Sequence, residues 1–283
     1  MKKVLLATTA LVLSAGFAAA EVKLSGSANM GLKYDEGGLS YAPAKKAAAW
    51  YEIDIDVVGT MESDSGLTFG ASVDLDSDYK SALAGTAQTA IDGEVFVSGA
   101  FGTFTIGNVD PIADDYGLTD IGFDGIGIDD VAEDAGYTGS ADARWDYTVG
   151  AMTLGVSVNT ISEDYGVGAA YDAGMFMAAL TFDHDEAGNN DTTSLLLGGK
   201  FDAFSAELYV TDNDTNDTSW GLYGAYTTGA LTLEASYADA DTAADAAYGI
   251  GAKYDLGGGA KLAGGLGSVS DDMVADFGVT FKF

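Results

Sequence analysis

The sequence predicts an all-β protein, a single 16-stranded antiparallel transmembrane β-barrel, and three observations carry that reading. From residue 22 to the last residue the chain is built of short runs in which apolar and polar side chains alternate, the mark of strands with one greasy face. The connections between runs are alternately tight and long, as in an up-and-down barrel held asymmetrically in a bilayer. Although 47% of residues are apolar, no stretch beyond the first residues approaches the roughly 18 consecutive apolar side chains of a membrane-spanning helix.

The chain begins with Met1-Lys2-Lys3, an apolar run over 4–17 and Ala18-Ala19-Ala20. This is the pattern of a signal peptide over residues 1–20, cleaved after Ala20, with the barrel occupying 21–283. Removing Lys2 and Lys3 from the 12 basic residues leaves ten against 44 acidic ones, a net charge of −34 instead of −32. That sign excludes a nucleic-acid partner. The chain has no Cys and one His, His184, so disulfides, thiolate chemistry and a His-rich zinc site are excluded. Paired carboxylates alone are no argument for catalysis in so acidic a chain, and we expect no enzyme activity.

The alternation is clearest at the end, where Phe277, Val279, Phe281 and Phe283 are separated by Gly278, Thr280 and Lys282. The same pattern places sixteen strands at about 22–34, 47–60, 66–76, 91–99, 102–108, 141–149, 152–160, 165–172, 175–184, 192–200, 203–211, 217–227, 230–239, 245–255, 260–267 and 273–283. Most have the length of a tilted strand crossing a bilayer, about 9–11 residues. Tight links fall at 99–102, 150–151, 173–174, 202 and 228–229. Longer acidic ones cover 35–46, 77–90, 185–191, 212–216 and 240–244. A soluble exported β-sandwich is the alternative. It fits less well, because the polar face is rich in Gly, Ser, Thr and Asp, and because so large a sheet needs closed edges.

One stretch breaks the pattern. "VDPIADDYGLTDIGFDGIGIDDVAEDAG", starting at Val109, carries nine acids and no Lys or Arg. The acids are Asp110, Asp114, Asp115, Asp120, Asp124, Asp129, Asp130, Glu133 and Asp134. On the residues alone it reads as a long solvated loop, the third of the long connections, joining the fifth run to the sixth.

Together the leader, the sixteen runs, the loop after the fifth run and the terminal Phe283 resemble a Gram-negative general porin of the alphaproteobacterial type, over the whole mature chain. The resemblance implies a homotrimer of barrels in the outer membrane, in contact with its lipids and lipopolysaccharide. Each barrel would be a passive channel for small hydrophilic solutes, and a substrate-specific channel on the same barrel is the alternative. It also implies that segment 109–140 folds inward as a constriction loop whose acids line the pore. The alternating Phe277, Val279, Phe281 and Phe283 would be the signal read by the outer-membrane assembly machinery.

Strand parity assigns the lumen wall. Lys33, Glu52, Asp54, Asp56, Asp74, Arg144 and Asp146 point inward, as do Lys23, Lys200, Lys253, Lys261, Lys282, Glu207 and Glu234. Most of the basic residues are assigned to the short-turn ends, so acids should dominate the constriction. Acidic rings in a low-dielectric channel favour cations, and the expectation is a cation-preferring pore. Aromatic residues on the outward parity, among them Tyr51, Trp145, Tyr226 and Tyr254, suit the interfacial girdles of a barrel. No cofactor is required. The oxygen-rich stretches "DLDSDYKSALAG" and "DNDTND" leave Ca2+ as a candidate ligand, although both lack the Gly and Glu of an EF-hand loop.

Overall fold

The computed structural model describes residues 20–78, 90–133, 140–214, 218–240 and 246–283. Asp134, most of the 77–90 connection and, apart from Ala20, the leader reading of 1–20 lie outside the described residues. Parts of both calcium-like stretches do too.

The described residues form sixteen strands in one closed antiparallel barrel. In chain order they are β1 (Glu21–Asp35), β2 (Ala47–Glu62), β3 (Thr68–Asp78), β4 (Ala90–Gly99), β5 (Gly102–Val109), β6 (Ala141–Val149), β7 (Met152–Val158) and β8 (Tyr165–Asp172). They continue with β9 (Phe176–Asp185), β10 (Asn190–Phe201), β11 (Phe204–Asn213), β12 (Ser219–Thr228), β13 (Leu231–Ala240), β14 (Ala247–Gly257), β15 (Ala260–Val269) and β16 (Asp272–Lys282). Each lies within two residues of its expected span. Every strand pairs with its neighbours in sequence, and β16 returns to pair with β1. That seam runs from Ser27↔Lys282 to Asp35↔Val274.

Alternation decides what faces out. Val22, Leu24, Met30 and Leu32 of β1 are each more than half exposed, as are Phe277 and Ile250 on other strands. A water-soluble protein would bury such side chains, whereas here they form the lipid-facing surface of a barrel. The tight links use residues that tolerate a left-handed backbone: Gly150 has φ 63° and Asp202 φ 55°.

The buried apolar cluster therefore lies inside the barrel, and segment 110–133 builds it. Ile112, Leu118, Ile121 and Ile128 are at most 1% exposed, joined by Phe123, Ile126 and Ala132. Under them lie inward-facing residues of the wall: Ala170, Ala179, Leu196, Tyr209, Tyr223, Ala238 and Val274. Burying an Ile or Leu side chain stabilises by roughly 1.5–3 kcal/mol, so the segment docks on the wall through these residues rather than trailing in solvent.

Candidate functional site

The wall receives the loop on glycines. Inward-facing positions of β7 and β8 are Gly155, Gly166 and Gly168, and a Cβ on any of them would meet the side chain of Ile112. Gly221 of β12 lies under Leu118, Gly251 and Gly265 under Ile121, and Gly267 under Ile128. The Phe123 ring fills the space over Gly31 and Gly278, where a Cβ would lie 2.8 Å from it in either case. The abundant glycine of the strands is thus partly a landing strip: with no side chain on the wall, a large apolar loop side chain can reach the backbone.

Polar contacts fix the loop's path. Ser157 accepts the Ile112 N–H at 3.0 Å. Glu207 accepts the N–H and hydroxyl of Thr119 at 2.9 and 3.0 Å. Lys253 donates to the Asp120 carbonyl at 2.8 Å and to Glu234 at 2.9 Å. Asp276 accepts the N–H groups of Phe123 and Asp124 on one oxygen and of Gly265 on the other. Asp124 is held by an ion pair with Lys33 and by the Asn29 amide at 2.6 Å. Lys33 also lies over the Trp50 ring, 4.5 Å from its centroid.

Arg144, the only arginine in the chain, clasps the start of the loop. It pairs with Asp115, donates to the Asp110 carbonyl at 3.1 Å, and grips Asp146 through Nε and Nη2. Most inward basic residues stand toward the short-turn ends, and the exceptions are Lys33 and Arg144, nearer the long-loop ends of β1 and β6. Lys33 supplies the counter-charge that the poorly solvated Asp124 carboxylate needs against the wall, and Arg144 bridges the exposed Asp115 of the loop to Asp146 of the wall.

The eight described loop acids separate into different environments. Asp110, Asp114, Asp115 and Asp130 are exposed, and Asp120, Asp124 and Glu133 are half-buried. Asp129, expected at the pore surface, is only 4% exposed and is corrected to an interior residue. Its carboxyl is hydrogen-bonded to that of Asp120. Burial, that bond and the neighbouring acids push its pKa up to about 9, so it carries its proton at neutral pH. Glu133 is raised to about 7 by burial, against the Leu118 N–H that it accepts at 2.5 Å. Asp114, which opens to the lumen but has its carboxyl partly screened from water by the surrounding loop and wall, is raised to about 6 by that desolvation and then by Asp110 and Asp115.

The expected wall acids of β2 and β3, Glu52, Asp54, Asp56 and Asp74, lie on neighbouring rungs beside two further acids, Asp76 of β3 and Asp92 of β4. Asp54 is opposite Asp76, and Asp56 opposite Asp74, which is in turn opposite Asp92. Glu52 accepts from Asn29 at 3.1 Å and Asp54 from Ser27 at 2.9 Å. Among the described residues no group of three or more metal-ligating side chains is gathered that could hold a metal ion. His184, near the end of β9, bonds Asp191 at 2.6 Å and stacks on Tyr165.

Sequence reasoning missed Ser157 and Asp276 as loop anchors and the apolar half of the loop itself. The signal was present. Ile112, Leu118, Ile121, Phe123, Ile126 and Ile128 are too many large apolar residues for a solvated loop.

A barrel that is greasy outside and holds a long loop within, anchored to its inner wall, is a channel, and comparison with known proteins agrees. A family model described as Gram-negative porin matches residues 7–273. The chain belongs to the Gram-negative porin family. The porin of Fuscovulum blasticum is 30% identical over 294 residues, and the porin of Rhodobacter capsulatus 32% identical over 320. Each comparison covers 93% of this chain and 100% of the relative. Among solved structures, an engineered variant of the Rh. blastica porin matches with TM-score 0.80 at 28% identity, over 93% of this chain and all of the other. A triple mutant of the Rhodopseudomonas blastica porin matches with TM-score 0.78, also at 28% identity. As a porin the chain is an integral β-barrel of the outer membrane and a passive channel, not an enzyme.

Proposed function

We propose that this porin prefers cations, and that the passage between the docked loop and the β2–β4 wall is its selectivity filter. The observation that carries this reading is the acidity of both sides. Asp110, Asp114 and Asp115 are exposed on the loop, and Glu52, Asp54, Asp56 and Asp74 stand on inward-facing rungs of the wall. Of the basic residues, Lys33, Arg144 and Lys253 are each engaged in holding the loop. Fixed negative charge in a narrow channel with low-dielectric walls concentrates cations and repels anions. The test is the reversal potential across a KCl gradient in a planar bilayer. A cation-side potential is expected, and an anion-side potential overturns the reading.

The same proposal takes residues 1–20 as a leader removed on export, the assembled form as a homotrimer and Phe277, Val279, Phe281 and Phe283 as the assembly signal. All four lie on the outward parity expected for lipid-facing or recognition positions, and Phe277 and Phe283 are more than half exposed. Conduction requires no cofactor, and Ca2+ would be an ancillary ligand of the acidic outer loops. N-terminal sequencing of the exported protein and conductance steps occurring in threes would support the leader and the trimer respectively.

A further inference from the structure

We propose that the Ile121–Asp124 turn of the loop is a clasp that holds the barrel shut at the β1–β16 seam, in addition to narrowing the pore. The seam is the one strand pairing in this barrel that joins opposite ends of the chain; all other pairs are neighbours in sequence. Its closure carries the largest loop-entropy cost in the fold and forms last if local pairs form first.

The turn bridges this seam from inside. On the β16 side, Asp276 is 6% exposed and accepts the N–H groups of Phe123 and Asp124 at 3.0 and 3.1 Å. On the β1 side, the Asp124 carboxylate is held by Lys33 and by Asn29. Between these two grips the Phe123 ring lies over Gly31 and Gly278, which are directly paired across the seam. One three-residue segment thus bonds the last strand through its backbone, bonds the first strand through its carboxylate, and packs on the rung between them. Gly122 permits the approach: its φ is 101°, and a Cβ there would run into the Asp276 carboxylate. The other anchors, Ser157, Glu207 and Lys253, lie on strands whose neighbours are adjacent in the chain. Those contacts position the loop and have no such seam to close.

The full barrel, refolded into lipid vesicles, tests this through Phe123→Ala, Gly122→Ala and Asp276→Asn, with Thr119→Val as the off-seam comparison that removes one contact to Glu207. Two quantities are read: the rate at which the compact gel band is lost in hot SDS, and amide exchange along the seam and along β10–β11. The expected result is a rise of at least about tenfold in both unfolding rate and β1–β16 exchange in the three clasp variants. The scale is set in Asp276→Asn by weakened hydrogen bonds to a buried charge, in Phe123→Ala by loss of a buried ring and in Gly122→Ala by the clash with Asp276. Exchange on β10–β11 should be unchanged, and Thr119→Val should leave the seam at wild-type exchange. Seam exchange at the wild-type rate in the clasp variants overturns the proposal, even if their conductance changes. An equal rise in Thr119→Val also overturns it, because general undocking of the loop would then be the cause. If Asp276→Asn does not assemble, Phe123→Ala and Gly122→Ala decide alone, since both keep every charge in place.

Discussion

Replacing Arg144 by alanine removes the only arginine from the lumen and leaves Asp115 and Asp146 without the cation that now holds them. The size of the effect follows from Coulomb's law. One unit charge acting on an ion that passes about 8 Å away contributes about 0.5 kcal/mol in water. Low-dielectric walls raise that value and salt lowers it, with a Debye length of about 8 Å at physiological ionic strength. Cations gain and anions lose, so the difference between them changes by about 1 kcal/mol, or roughly fivefold in permeability ratio. Asp115 is 40% exposed at its side chain, so its own pairing with Arg144 adds little stability and the long-range field dominates. The assay is the reversal potential across a tenfold KCl gradient, with Arg144→Lys as the companion. Lysine keeps the charge but lacks the planar fork that grips Asp146 through two nitrogens. Arg144→Ala should therefore shift the ratio toward cations by about fivefold, with Arg144→Lys close to wild type. An unchanged ratio in Arg144→Ala, or a shift toward anions, would refute the argument that fixed charge at this position sets selectivity.

Three other perturbations have definite outcomes. Ile112→Ala removes a fully buried side chain from three wall glycines and should weaken docking of the loop's first turn by about 2–5 kcal/mol. It would be read as larger open-channel noise in single-channel records with the gel mobility of the folded barrel retained. Gly155→Ala places a methyl against that same Ile112 side chain from the opposite partner and should cost about 1–3 kcal/mol of docking, giving the same noise without touching the loop sequence. The pH dependence follows from the raised carboxyls. Asp129 is raised from 3.8 to about 9 and Glu133 from 4.5 to about 7, so both favour the docked loop when protonated. Docking should be strongest below pH ~4 and weaken as pH rises through about 7 and then about 9. Open-channel noise should thus grow from pH 6 to pH 9.5, and Asp129→Asn should suppress the later part of that rise.

The barrel was legible because its rule is local. A strand with lipid on one side and water on the other must alternate, and the tilt and length of a bilayer crossing set the length of each run. Residues such as Met30 and Leu32 announce their outward side within three positions of Lys33, so span and facing can be read together. The loop followed a different logic. Its nine acids drew attention, and the resemblance to porins placed it inside the barrel. Yet its position is set by Ile112, Leu118, Ile121 and Phe123 meeting glycines on strands far away in sequence. A glycine on an inward parity reads from sequence as a small lumen residue. Only the partner it receives distinguishes Gly31 or Gly155 from an empty wall position. Asp276 was invisible as an anchor for the same reason, since two of its three donors, the N–H groups of Phe123 and Asp124, come from a turn that the sequence does not place near it.

The two halves of the loop's composition follow from opposite requirements of one position. A segment lying across a water-filled lumen has no core beneath it unless it brings one, and the alternating apolar residues do this against glycines. Once docked, one face is dry and one is wet, and an acid costs little on the wet face and much on the dry one. Asp110 and Asp115 lie on the wet face beside Arg144, where a carboxylate can face water and impose a field on passing ions. Asp129 on the dry face cannot, and its shared hydrogen bond with Asp120 holds a proton in place of a counter-ion. Counting acids in the sequence therefore overstates the charge the pore presents. The charge that acts on an ion is the count on the wet face, reduced by what Lys33 and Arg144 neutralise, and the wall acids of β2 and β3 make up much of what is left.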